Sequence, residues 1–262
     1  SLLRRFARTT TTTTTTTTTI KNHRRGLSSS QTTTTTTTAT TNTLAKPPLN
    51  ILLVLGSSRT KRIGGKVAHH IATIVRSRGH SLSILDPRDP IHEDFFMRLM
   101  EKAYFHYKKD EQIPPPLQAA AQAVEQADAY VVVTPEYNHT ISPALTNTMN
   151  YFGSSLYAQK ASGICTYSAG LWGGARCGVA LRPYLSELGC LPVSATCQVT
   201  SAWKPGTFDD DTGLLQDNHL GAKSCDKMLE QLEWQAVILR DARKRIETEN
   251  EEEGMTKKTA TK

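Results

Sequence analysis

Five short segments rich in apolar residues recur along the chain, and the first of them ends in a glycine, as buried parallel strands often do. Between them, apolar residues return at helical spacing, as at Leu181, Leu185 and Leu188 before Gly189. This alternation predicts a three-layer α/β domain with a five-stranded parallel sheet. The predicted strands span residues 49–56, 81–85, 129–134, 162–167 and 192–199.

The helices are marked by the same kind of pattern. Ser142-Pro143 is a typical helix start, and the last helix is expected to end after Arg243, where the apolar positions stop. Right-handed crossovers leave chiefly the Rossmann-like and flavodoxin-like strand orders, and in both of these ligands bind beyond the carboxyl ends of the strands. The predicted helices lie near residues 67–75, 117–124, 145–152, 181–188 and 225–239.

Composition divides the chain into three parts. Residues 1–48 contain two threonine runs, seven Lys or Arg and no acidic residue, so we expect a disordered basic leader. The domain is expected over residues 49–246, and residues 247–262 form a charged tail predicted to be disordered. Because the leader carries the whole net charge of +7, residues 49–262 together are neutral, and a nucleic-acid-binding domain is not expected.

The leader has two interpretations, which the sequence leaves open. Its basic, amphipathic start at residues 2–8 is similar to a mitochondrial transit peptide, but long threonine runs also suit a dispensable tail on a cytosolic protein. No apolar run is long enough for a membrane span or a secretory signal. Five cysteines without a C-x-x-C pair favour reduced thiols. We therefore expect a cytoplasmic or mitochondrial matrix protein that is not secreted.

The loop after the first strand has the composition of an anion site. It runs from Gly56 to Gly65, with hydroxyl residues, glycines and the cations Arg59 and Arg62 before a helix. Backbone N–H groups and the helix dipole would face an anion there, although an ordinary polar turn has the same composition. The sequence matches neither the nucleotide-hydrolase P-loop nor the Rossmann G-x-G-x-x-G pattern.

Two further loops carry unusual residues. Thr134 to Thr140 combines a proline, an aromatic ring and an amide, which suits the alternating donors and acceptors of a flat heterocycle, or forms a turn before Ser142. The loop from Tyr167 to Arg176 contains glycines that would let the backbone approach a ligand closely. Trp172 on this loop could stack on a ring or serve as a packing residue.

Together these loops resemble the NADPH-dependent FMN reductase family. The resemblance rests on G-S-x-R from Gly56, T-P-E-Y-N from Thr134 and Y-S-x-G-x-x-G-G from Tyr167, and it covers about residues 49–240. The family is flavodoxin-like and includes quinone, chromate and azo-dye reductases. It implies a three-layer flavodoxin-like fold and bound FMN, with NADPH or NADH as co-substrate. Gly64-Gly65 stands where some relatives have a hydroxyl residue.

The resemblance implies an FMN site made from all three loops. The phosphate would lie against the first loop, and the isoalloxazine ring would lie between the other two, with Tyr137 as the best candidate for a ring at the reaction face. The implied contact residues are Ser57, Arg59, Arg62, Ile63, Gly64, Pro135, Glu136, Tyr137, Asn138, Ser168, Ala169, Gly170, Trp172, Gly173 and Gly174.

The resulting functional prediction is an NAD(P)H oxidoreductase that passes hydride to bound FMN and then to a quinone or similar small acceptor. The alternative is a flavodoxin-like FMN-binding or regulatory protein with little turnover. The resemblance also implies a homodimer or homotetramer. No catalytic acid or base and no metal site is assigned, since Asp209 to Leu220 departs from the calcium-loop pattern and His69 and His70 are adjacent on a helix.

Overall fold

Buried apolar strands and amphipathic helices follow one another as the pattern predicts. The computed structural model of the protein describes residues 47–91 and 93–260. Its strands are β1 (Asn50–Leu55), β2 (Ser81–Leu85), β3 (Ala129–Tyr137), β4 (Thr140–Ile141), β5 (Ala161–Tyr167) and β6 (Leu191–Val199). Its helices are α1 (Gly64–Ser77), α2 (Glu93–Phe96), α3 (Pro115–Gln126), α4 (Pro143–Asn150), α5 (Ser154–Tyr157), α6 (Ala175–Glu187) and α7 (Leu220–Ala260).

The sheet has the strand order β2-β1-β3-β5-β6, and these five strands run parallel. In register, Ile51 lies opposite both Leu82 and Ala129, and Val133 lies opposite Cys165. With β1 inside the sheet and the crossover to β3 reversing direction, the order is the flavodoxin-like one. The predicted fold is therefore confirmed, and the Rossmann-like order is excluded. The short β4, which the sequence pattern missed, pairs antiparallel with β3.

The sheet is buried on both faces, which explains the nearly continuous apolar character of the central strands. Ile51, Leu53 and Leu55 of β1 pack on the face covered by α1 and α7. Leu52 and Val54 pack on the opposite face, with the apolar residues of α3, α4 and α6. Each of these side chains contributes roughly 1.5–3 kcal/mol by leaving water.

The edge where the strands begin, called the amino edge below, carries three polar residues that each stand directly before a strand. Asp128 accepts a hydrogen bond from the Asn50 backbone N–H (2.9 Å). His80 Nδ1 accepts one from the Leu49 N–H (3.3 Å). Lys160 Nζ donates to three carbonyls, of Val124 (2.9 Å), Glu125 (2.6 Å) and Leu156 (3.0 Å). These groups fasten the strand starts to neighbouring elements.

Buried charges join α7 to the same edge. Arg78 donates to Glu233 (2.8 Å) and to Asp226 (2.8 Å), and Glu233 Oε1 also lies 3.4 Å from His80 Nε2. The Glu233 side chain is only 3% exposed. A carboxylate this deeply buried is tolerated because cationic and polar partners surround it.

The last helix is longer than the apolar pattern predicts. The sequence predicts an end after Arg243 and a disordered tail from residue 247, but α7 continues to Ala260. Glu, Lys and Arg are good helix formers, so a solvated helix needs no apolar face to continue. The predicted leader, apart from residues 47 and 48, lies outside the described residues, and so do residues 261 and 262. The three-part division of the chain stays a prediction.

All five cysteines are free and buried. Within the described residues, no helix is long and apolar enough to cross a membrane. No group of three or more His, Cys, Asp or Glu residues in that part of the chain could hold a metal ion.

Candidate functional site

The carboxyl edge of the sheet, where β1, β3 and β5 end side by side, brings the three predicted loops together. The Gly56 N–H donates to the Val133 carbonyl (2.8 Å), and the Ser142 hydroxyl donates to the Gly56 carbonyl. The Thr134 and Ser142 hydroxyls lie 3.0 Å apart, and a Cβ on Gly56 would be 2.5 Å from Thr134 Oγ1. A glycine is therefore required at the end of β1, and buried hydroxyls join the first two loops.

Arg62 fixes the loop after β1 from within. Its guanidinium donates to the Ser57 carbonyl (2.7 Å) and forms a two-pronged ion pair with Asp86, the residue after β2. Arg88 adds a hydrogen bond to the Ser58 carbonyl (3.1 Å). The sequence predicts Arg62 as a phosphate ligand, but the structure places its charge against Asp86. Arg62 therefore stabilises the conformation of the loop. Of the two arginines predicted to bind an anion, Arg59 is the more exposed.

The start of α1 is left open to an anion. Ile63 occupies the N-cap position, no side chain among the described residues caps the helix, and the first turn contains no acidic residue. The first helical hydrogen bonds are donated by Lys66 (2.9 Å) and Val67 (3.3 Å) to the Ile63 carbonyl. The preceding N–H groups and the positive end of the helix dipole are available to bind a negative group.

Tyr167, which the sequence-based assignment did not include, reaches this helix start from the end of β5. Its side chain is buried at 1% exposure. Its Oη makes no hydrogen bond of good geometry among the described residues, although the Ser57 side chain lies near enough to lower its pKa. A Cβ on Gly64 would overlap Tyr167 Oη, so the hydroxyl packs against the first residue of α1. The signal in the sequence was a hydroxyl-bearing ring at the last position of a predicted strand.

The Thr134–Thr140 segment is a β-hairpin rather than an irregular loop. β3 continues through Pro135 and Glu136 to Tyr137, which pairs with Thr140 of β4. Asn138 and His139 form the two-residue turn, with φ values of 48° and 63°. Tight hairpin turns require positive φ at both positions, and asparagine tolerates this conformation well. The turn places both side chains at the exposed tip.

The Glu136 carboxylate binds the start of α6. Its carboxylate accepts hydrogen bonds from the Arg176 side chain (2.7 and 3.0 Å) and from the backbone N–H groups of Arg176 (3.0 Å) and Cys177 (3.2 Å). Burial would raise the Glu136 pKa, but these hydrogen bonds and the Arg176 charge more than offset it, so the pKa is lowered. The predicted contact of Glu136 with a ligand is thus limited to its backbone.

Arg59 and Tyr137 join the first loop to the hairpin. The Arg59 guanidinium carbon lies 4.5 Å from the centre of the Tyr137 ring, a distance typical of a cation–π contact. Arg59 is exposed and Tyr137 is partly buried. A cation therefore stands at the boundary between the helix start and the aromatic ring.

The loop after β5 closes the other side. The Ser168 N–H donates to the Val199 carbonyl (3.2 Å), the Ser168 hydroxyl to the Gly170 carbonyl (3.3 Å), and Thr166 Oγ1 to the Gly173 carbonyl (2.8 Å). Gly173 and Gly174 are buried and have positive φ, whereas Ala169 and Gly170 are exposed. The backbone of this loop is therefore fixed from both ends.

Trp172 is 68% exposed on this loop, and its neighbour Leu171 is 81% exposed. This exposure excludes the interpretation of Trp172 as a packing residue within one protomer. It leaves a large aromatic surface at the carboxyl edge.

His69 and His70 hold the acidic segment that follows β6. His69 Nε2 lies 3.2 Å from the Thr212 carbonyl, and His70 Nδ1 accepts a hydrogen bond from the Leu215 N–H (3.3 Å). Burial is the main cause that lowers the His70 pKa, which agrees with its acceptor role. The two histidines serve the packing of this segment on α1.

Comparison with known proteins agrees with this arrangement. The family model of the NADPH-dependent FMN reductases matches residues 49–204. A quinone reductase of Escherichia coli K12 is 30% identical over 184 residues, covering 64% of this chain and 92% of the relative. The NAD(P)H-dependent FMN reductase ntnL of Nectria sp. is 27% identical over 180 residues, covering 66% of this chain and 84% of the relative.

Among solved structures, FerB of Paracoccus denitrificans, a flavoenzyme NAD(P)H:(acceptor) oxidoreductase, superposes with a TM-score of 0.50. The alignment covers 74% of this chain and 96% of that protein at 18% identity. At this identity the likeness concerns the fold alone.

Proposed function

The chain belongs to the NADPH-dependent FMN reductase family, and from this premise we propose that its carboxyl edge binds FMN and serves hydride transfer from NAD(P)H to a quinone or similar acceptor. Membership makes the protein an oxidoreductase. The observation that carries the site assignment is the convergence of an uncapped helix start, a cation and an aromatic ring where β1, β3 and β5 end.

The residues at the start of α1 fit a phosphate. The helix offers free N–H groups without a side-chain cap among the described residues, and the missing Cβ at Gly64 makes room for the Tyr167 hydroxyl beside the helix start. Ser57 lies at the beginning of the same loop, and Arg59 adds a positive charge. No acidic side chain in the first turn of α1 opposes an anion.

The hairpin and the loop after β5 fit the ring. Tyr137 offers a partly exposed aromatic ring, Pro135 before it is buried, and Asn138 at the turn offers an amide that can both donate and accept. Ser168 to Gly174 would flank the opposite side, where Trp172 supplies an exposed ring. Glu136 contributes by fixing the hairpin to α6 rather than by touching the ligand with its carboxylate.

FMN, when bound, supplies the two-electron chemistry, and the chain supplies binding, orientation and exclusion of water. Arg59 and the helix start would hold the phosphate end, so that the hairpin and the Trp172 loop position the ring. No protein acid or base is needed for a hydride to be accepted, and none is assigned. NADPH and NADH are both proposed as donors.

A quinone is proposed as acceptor because the Escherichia coli relative carries the name quinone reductase. Assembly into a homodimer or homotetramer is also proposed. The exposed Leu171 and Trp172 at the carboxyl edge support this proposal, since large apolar side chains on a loop gain by being covered.

Anaerobic absorbance spectroscopy of the FMN-loaded protein tests the function. We expect NADPH to bleach the flavin absorbance within seconds and a quinone to restore it, with neither change in protein-free FMN on this timescale. FMN that binds but is not bleached would favour the alternative, an FMN-binding or regulatory protein with little turnover.

A further inference from the structure

Three tyrosines are fully buried in the described domain, and one of them differs from the others. Tyr130 donates its hydroxyl to the Val124 (2.9 Å) and Leu156 (3.1 Å) carbonyls, and Tyr157 donates to the Met149 carbonyl (3.4 Å). The Tyr167 hydroxyl has no such partner among the described residues. Buried polar groups normally have partners, so an unpartnered one calls for a physical reason.

The direction of the hydroxyl supplies the reason. Tyr167 Oη packs against Gly64, the residue at which α1 begins, and any side chain at Gly64 would overlap it. The hydroxyl therefore stands beside the free N–H groups of an uncapped helix start. Two independent features, the helix start and the buried hydroxyl, converge on one point.

We propose that Tyr167 Oη is a ligand of the anion bound at the start of α1, and that it donates a hydrogen bond to the terminal phosphate of the flavin nucleotide. The inference rests on the proposed function, because it adds a contact residue to the same site. It gives the phosphate a neutral donor from β5 in addition to donors from the loop after β1.

The surrounding charges explain why a neutral donor is useful here. Arg62, the partly buried cation of the loop, is neutralised by Asp86 and donates to the Ser57 carbonyl. Burial is the main cause that raises the Tyr167 pKa, and it outweighs the lowering by the nearby Ser57 side chain and the Arg62 charge, so the hydroxyl keeps its proton at neutral pH. Ser57 is close to Oη but does not meet the geometry of a hydrogen bond, so the hydroxyl can still donate to a ligand. A protonated hydroxyl can donate to a phosphate oxygen without bringing a further charge into the interior.

Tyr167→Phe removes the hydroxyl and keeps the ring, and Tyr130→Phe is the matched control at the other end of the sheet. The flavin-free proteins are titrated with FMN and with riboflavin, which lacks the phosphate. We expect Tyr167→Phe to weaken FMN about tenfold, the order of magnitude of a lost hydrogen bond to a charged group, and to leave riboflavin unchanged. Tyr130→Phe should change neither affinity.

Thermal unfolding of the flavin-free proteins distinguishes a ligand-binding role of the Tyr167 hydroxyl from a structural role. We expect the Tm of Tyr167→Phe to be unchanged or higher, because an unpartnered buried hydroxyl is removed, and the Tm of Tyr130→Phe to fall, because two carbonyls lose their partner. Unchanged FMN affinity in Tyr167→Phe, or equal weakening of both flavins, overturns the inference while the proposed function stands. Failure of the unaltered protein to bind FMN overturns both.

Discussion

The two edges of the sheet differ in whether their polar groups are paired with other groups of the protein. At the amino edge, Asp128, Lys160 and Glu233 are each bonded to backbone groups or opposite charges of neighbouring elements. At the carboxyl edge, the start of α1 has no side-chain cap within the described chain, and the Tyr167 hydroxyl has no partner there. At the amino edge the charged side chains hold the fold, and two buried nitrogens there that lack a hydrogen bond, His80 Nε2 and Arg240 Nε, still lie 3.4 and 3.6 Å from carboxylate oxygens. At the carboxyl edge the open donors lie where a ligand is proposed.

This contrast predicts that mutations at the amino edge change the stability of the fold and that mutations at the carboxyl edge change ligand affinity. Buried charges at the amino edge are costly to leave unpaired, so their removal should affect unfolding. Open donors at the carboxyl edge contribute little to the ligand-free fold, so their removal should affect affinity. The following predictions test that separation, beginning with the largest effect.

Glu233→Ala should lower the free energy of unfolding by about 3 kcal/mol, because it leaves Arg78 and His80 near the buried end of α7 without their shared carboxylate. Urea unfolding measures the loss. Glu230→Ala, an exposed position on the same helix, is the control and should cost little. Flavin affinities of the folded variant should be unchanged. A selective loss of FMN binding would contradict the assignment of stability to the amino edge and of ligand binding to the carboxyl edge.

Arg59→Ala should weaken FMN by roughly tenfold to a hundredfold, corresponding to about 1.5–3 kcal/mol for a lost charge-assisted hydrogen bond, and should weaken riboflavin much less. Fluorescence quenching of each flavin measures this. Lys61→Ala removes an exposed cation from the same loop and serves as the control for net charge. Equal weakening of both flavins by Arg59→Ala would show that its contact with Tyr137, rather than the phosphate, dominates.

Glu136→Gln should cost about 1–2 kcal/mol of stability at neutral pH, since the charge that binds Arg176 and the start of α6 is removed. The Glu136 pKa is lowered in the folded protein, so its contribution is present above the ordinary value of 4.5 and is lost as pH falls through the lowered value. Unfolding curves of the protein and the variant should therefore converge in acid. A constant difference down to pH 3 would contradict the assignment.

The fold could be predicted because its main elements are defined by local burial. Strands that are buried on both faces consist mostly of apolar residues, and the five parallel strands coincide with the apolar segments of the sequence. The hairpin at Asn138 and His139 was missed because its turn depends on positive φ values, and the two-residue β4 is too short to show a period. The extent of α7 was missed because charged residues continue a helix without an apolar signal.

The site could be predicted only as a set of loops. Individual roles depended on partners distant in sequence, as in the pairs of Arg62 with Asp86 and of Glu136 with Arg176. Tyr167 was missed because its neighbour Gly64 lies 103 positions away along the chain, in contact across the top of the sheet. The residue contacts with FMN stay predictions.

Direct titration of the flavin-free protein with FMN, riboflavin and FAD is the most decisive measurement. If the open donors of the carboxyl edge bind a terminal phosphate, FMN should bind on the order of a hundredfold more tightly than riboflavin, which has no phosphate. FMN should also bind more tightly than FAD, because the loops carry no adenylate-binding motif. Equal affinity for all three flavins, or no quenching by any of them, would contradict the account.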